Sequence, residues 1–64
     1  MIYVYSRRDF VATINKQHPA APGHRAEEPW LLLHNTGRVD RFETAGEARR
    51  EAQKSYVDVS FKKG

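Results

Sequence analysis

The sequence predicts an α+β fold in which a small antiparallel sheet carries one or two helices on one of its faces. Three observations carry that prediction. Residues Ile2 to Tyr5, near one end, are all strong β-formers, and Tyr56 to Phe61, near the other, alternate cleanly between apolar and polar positions. In the middle, Trp30 to His34 and Arg38 to Phe42 flank Asn35-Thr36-Gly37, a three-residue hairpin loop in which a type I turn is followed by Gly in the left-handed region. Directly after that hairpin, Thr44-Ala-Gly-Glu47 has the form of a capping box and opens a helix.

Taken in order, Ile2 to Tyr5 is the first strand. Ser6 is placed as a helix N-cap with Asp9 three residues on, and Phe10 and Ile14 share a helical face, so a short helix is expected to about Gln17. Val11, Thr13 and Ile14 are β-branched, and the competing reading of the same segment is a strand. Residues 18–29 form a loop with Pro19, Pro22, Gly23 and Pro29 and no periodicity; loops of this length in a small domain are usually functional or mobile. In the helix after Thr44, Ala45, Ala48 and Ala52 make a small-residue stripe that lets it sit close to a sheet, with Glu47–Arg50 and Glu51–Lys54 as i, i+3 pairs on the wet side. In the last strand Val57, Val59 and Phe61 share one face and Tyr56, Asp58 and Ser60 the other, and 62–64 is a frayed basic tail.

Composition sets outer limits. A chain of 64 residues is one domain, 1–64, with little stability to spare. It has no Cys, which excludes disulfides and thiolate metal sites. No apolar run approaches the roughly 20 residues of a membrane helix, and no signal stretch follows the N-terminus, so the expected setting is cytoplasmic. The net charge of +3 comes largely from adjacent basic pairs interleaved with eight acids, a pattern closer to a solvated surface than to a dedicated nucleic-acid arm.

The order strand, helix, strand, strand, helix, strand resembles the ferredoxin-like βαββαβ plait, compressed to a minimum. If residues 7–17 are not helical, the alternative is a ββ-β-α-β arrangement with a single helix. In a plait both helices cover one face and the other stays open. On that expectation Ile2, Val4, Leu31 and Leu33 point inward, while Tyr3, Tyr5, Trp30, Leu32, His34 and Tyr56 point outward. An exposed patch of Tyr3, Tyr5, Trp30, Leu32 and Tyr56, with Arg38 and Arg41 beside it, is the predicted partner-binding surface, since bare aromatic patches mark interaction sites.

Ile2-Tyr-Val-Tyr-Ser6 resembles the first-strand motif of RNA-recognition-motif domains, and Phe42-Glu-Thr-Ala-Gly-Glu-Ala48 is similar to their strand-to-second-helix junction. That resemblance implies stacking of unpaired bases on Tyr3. The sequence departs from the family at Arg38-Val-Asp-Arg-Phe42, where a Gly- and aromatic-rich octamer belongs. Residues 30 to 61 also look like the cores of small phage-encoded inhibitors of host machinery, a resemblance of size and economy.

No nucleophile motif, buried acid/base pair or phosphate-cradling Gly loop is present, and a chain this short hardly encloses a substrate pocket, so an enzyme is not expected. His18, His24 and His34 lack metal-site spacing, and neither metal nor cofactor is expected. The expected function is therefore protein–protein interaction, of an accessory or inhibitor kind. Single-stranded nucleic-acid binding is the alternative, and homodimerisation through the open face a third reading.

Overall fold

In a computed structural model that describes all of residues 1–64, five strands and one helix follow in the order β1 (Ile2–Ser6), β2 (Asp9–Lys16), β3 (Trp30–His34), β4 (Val39–Phe42), α1 (Ala45–Ser55) and β5 (Val59–Lys63). The strands form a single antiparallel sheet in the order β4-β3-β2-β1-β5. β1 to β4 make a meander. The chain then crosses one face of the sheet as α1 and returns along β1 as β5, closing the far edge.

The plait is corrected at its first helix. Residues 9–16 are a strand, and the two-residue connection Arg7-Arg8 folds β1 directly onto it, with Ser6 opposite Asp9. Both arginines have left-handed backbones, φ 51° and 72°, as a type I′ turn requires. Ser6 is thus no N-cap; its hydroxyl donates to the Val57 carbonyl at 2.5 Å. The single-helix alternative has the right helix count but one strand too few.

A β-bulge explains why the segment imitates a helix. Val4 pairs with Ala12 but Tyr5 pairs with Phe10, which leaves Val11 as the extra residue. In an unbroken strand Phe10 and Ile14 would share a face. Here Ile14 is buried beside Ile2 and Leu32, while Phe10 comes out on the other side. The i, i+4 spacing therefore reflects a helical period only by coincidence.

The hairpin after β3 forms as the turn chemistry dictates. The Gly37 amide donates to the His34 carbonyl, the His34 amide donates to Arg38, and Gly37 takes φ 97°, where a Cβ would be strained. Thr44 caps α1 from an extended backbone, its hydroxyl oxygen accepting from the Glu47 amide at 3.2 Å. The Glu47 carboxylate accepts from that same hydroxyl, at 3.3 Å. We expect Thr44→Ala to cost about 1 kcal/mol, read as a lowered midpoint in urea denaturation.

Ile2, Val4, Ala12, Ile14 and Leu32 form the sheet half of the core, and Ala48 and Ala52 the helix half. Alanines on both sides of the interface bring α1 down onto the sheet; Ala45, third of the expected stripe, is only half-buried. Trp30, Phe42, Val59 and Phe61 pack around the rim. Arg49 lies over the Phe61 ring, 5.4 Å from its centre. Neither expected helix ion pair forms; Glu51 instead accepts from the Ser55 hydroxyl.

Two expectations about the last strand also change. Val57 is exposed in the connection to β5, where Asp58 adopts φ 50°. The tail is not frayed: Lys62 and Lys63 pair with Tyr3 and Ile2, and the Gly64 amide donates to Met1. No helix is long and apolar enough to cross a membrane.

Candidate partner-binding face

The register of β3 decides which residues the open face carries. Ile14 pairs with Leu32 and Ala12 with His34, so Leu32 and His34 lie on the helix side along with Trp30. Leu31 and Leu33 fall on the open side. This inverts the expected orientation of the strand. Leu31-Leu32-Leu33 has no alternation to fix its face, and turning Leu31 and Leu33 inward carries His34 outward with Leu32.

Leu32 is 0% exposed and belongs to the core, and Trp30 packs against that core opposite Phe42. Trp30→Ala therefore damages the fold rather than merely removing a contact.

His34 is buried because both ring nitrogens are satisfied. Nε2 lies 2.9 Å from the Asp40 carboxylate and Nδ1 2.5 Å from the Tyr56 hydroxyl. Arg38 completes the chain, its Nε 3.3 Å from Asp40. Tyr56, the C-cap residue of α1, is thus tied to the sheet on the helix side and does not reach the open face. The order carboxylate, imidazole, hydroxyl is that of a proton relay. The one surface groove lies elsewhere, between Phe42 and the outer side of α1, and includes none of these three residues. The network ties β3, β4 and the helix end together. Arg38, engaged with Asp40, belongs to this network and not to the open face.

Tyr3, Tyr5 and Arg41 do lie on the open face, each by strand alternation. Phe10, released outward by the bulge, sits between the two tyrosines, edge-on to both at centroid distances of 6.1 and 5.8 Å. Phe10 is 42% exposed, although it is a large apolar ring. Lys62 reaches across from β5 and places its ammonium 5.2 Å from the centre of the Tyr5 ring. Gly64 lies against Tyr3, so close that a Cβ there would overlap the ring. On the other half of the sheet Arg41 donates to the Gln17 side chain at 3.1 Å, reaching from β4 past Leu31.

The apolar residues Phe10, Leu31, Leu33 and Val39, with Lys62, are members of this face that the sequence reading does not place there. Phe10 depends on both the β1–β2 hairpin and its bulge, and Arg7-Arg8 carries no turn signature; Lys62 only continues the alternation of Val59 and Phe61 in β5. Leu33 needed the register of β3.

The charges on the two sides are unequal. Arg41 and Lys62 stand on the open face, and no strand position there holds a carboxylate. Asp40 is on the helix side, Asp9 and Asp58 are at the turns, and the remaining acids are in the loop, the cap region or the helix. Two copies packed face to face would set like charges together, which disfavours the homodimer reading.

No three His, Cys, Asp or Glu side chains converge in a way that could hold a metal ion. The fold is that of a small α+β protein: a five-stranded antiparallel sheet with one helix on one side and, on the other, a partly exposed aromatic cluster beside the buried Leu31. Compared with known proteins, the chain matches no family model, no curated protein and no solved structure.

Proposed function

We propose that this chain is a non-enzymatic binding protein that docks on a protein partner, in an accessory or inhibitory role, through the face bearing Tyr3, Tyr5, Phe10 and Leu33. The observation that carries the reading is Phe10, a ring left exposed at the centre of an aromatic cluster in a chain with few large apolar residues for its own core. Rigid aromatics beside a basic side chain are the usual anchors of protein interfaces.

Single-stranded nucleic acid is the second reading, favoured by the absence of carboxylates from the face. Base stacking, however, needs a free ring surface. Lys62 lies over Tyr5, and Gly64 lies against Tyr3. The arrangement suits a partner that meets ring edges and apolar side chains better than one that stacks.

The experiment is affinity capture with the wild type and with a Tyr5→Ala/Phe10→Ser variant, alongside a titration with mixed single-stranded RNA and DNA at low and high salt. The reading predicts a specifically retained protein that the variant loses while keeping its far-ultraviolet circular dichroism. Nucleic-acid binding that fades steeply with salt, with no protein retained, would replace it with the second reading.

A further inference from the structure

Three left-handed backbones at residues other than Gly cluster at one end of the sheet: Arg7 and Arg8 in the β1–β2 turn, and Asp58 beside them. Each such conformation brings Cβ against the backbone and is costly for an ordinary residue. Elsewhere the chain places Gly where it needs this region, at Gly23 and Gly37. Arg7 has a local role that accounts for its side chain. Its amide donates to the Asp58 carbonyl and its guanidinium lies 3.6 Å from the Asp58 carboxylate.

Arg8 has no such role. Its guanidinium makes no ion pair and no hydrogen bond, and its side chain is exposed. It stands two residues before Phe10, at the tip of the hairpin whose strands carry Tyr5 and Phe10. Strain retained at an exposed, unpartnered side chain points to use of that side chain. The only cations on the open face, Arg41 and Lys62, stand on β4 and β5, the two edge strands.

We infer that the occupant of the open face is an acidic, apolar-bearing protein segment, and that Arg8, Arg41 and Lys62 are its carboxylate contacts. This rests on the face reading above and names the partner's chemistry. Arg8 and Lys62 stand beside the aromatic cluster, and Arg41 stands on the opposite edge beyond Leu31, so an occupant presents apolar groups to Phe10 and Leu33 with carboxylates outside them. A regular line of phosphates would instead call for a basic track along the face.

The probe is a fluorescein-labelled 15-residue peptide alternating Glu and Leu, titrated by anisotropy against the full chain, with a single-stranded oligodeoxythymidine in parallel. Loss of one charge-assisted contact corresponds to about tenfold in affinity, so Arg8→Gly is expected to weaken peptide binding about tenfold. The same variant should melt several degrees higher, because Gly relieves the strained turn. Arg50→Gln, which removes the same charge from the helix side, should change binding by less than about twofold. Equal losses in Arg8→Gly and Arg50→Gln, or no loss in Arg8→Gly, overturn the inference alone. Oligonucleotide binding without peptide binding overturns the acidic-protein assignment. Peptide binding indifferent to Tyr5→Ala overturns the face reading and the inference with it.

Discussion

Leu32→Ala should leave the chain largely unfolded at 37 °C, while Leu33→Ala, one residue away, should fold. Leu32 is fully buried between Ile14 on β2 and Asp40 on β4, in the same core as the helix alanines. Truncating a buried Leu removes its transfer free energy and leaves a cavity, together about 2–5 kcal/mol. A single small domain has only about 5–15 kcal/mol in total, and one of this length lies at the low end. The core cannot collapse to fill the space, because its helix side is already alanine. Leu33 points to the open side and is half-buried there, so its loss should cost about 1 kcal/mol or less. Urea denaturation followed by circular dichroism reads both. A smaller loss for Leu32 than for Leu33 would mean that β3 has the opposite face inward.

Tyr56→Phe should destabilise the protein by about 1–3 kcal/mol, although it removes one oxygen atom. The phenol is the partner of His34 Nδ1, and the ring is buried with its other nitrogen committed to Asp40. Phe keeps the packing but leaves a buried ring nitrogen without a partner, and an unmade buried hydrogen bond costs more than a made one contributes. At about 4–8 °C per kcal/mol for a domain of this size, the melting temperature should fall clearly. Asp40→Asn should be milder, because a side-chain amide oxygen can still accept from His34 Nε2. A Tyr56→Phe melting temperature equal to wild type would show that the hydroxyl faces water.

What was legible in the sequence was local. Asn35-Thr36-Gly37 could be read because only a few residue types satisfy a left-handed turn position, and Thr44 with Glu47 because capping needs those side chains at that spacing. The Ala48 and Ala52 spacing gave the buried side of α1 for the same reason. What was illegible depended on pairing. The bulge at Val11 disguised β2 as a helical period, and a turn made of two arginines carries none of the usual Gly or Asn signature.

The face suffered from the same gap. The side of Tyr3 and Tyr5 follows from the alternation of β1, whereas that of Arg41 depends on the register of the strand after the turn. Trp30 and Leu32 lie on the helix side, against the expected register, because a run of three leucines has no phase of its own. Tyr56 continues the alternating pattern of the last strand in the sequence, but it caps α1 and is drawn inward by His34. His34 itself is buried only because Asp40 and Tyr56 receive it, and nothing at a single position announces such a partnership.

The most direct test of which face is bare is solvent paramagnetic relaxation on the isotope-labelled free chain, with a soluble gadolinium chelate. The account predicts strong broadening of the Phe10 and Tyr5 ring signals and of the Leu33 methyls, with Val4, Ile14 and Leu32 protected. Leu32 methyls broadened as strongly as those of Leu33 would contradict it, and would return Trp30 and Leu32 to the open face.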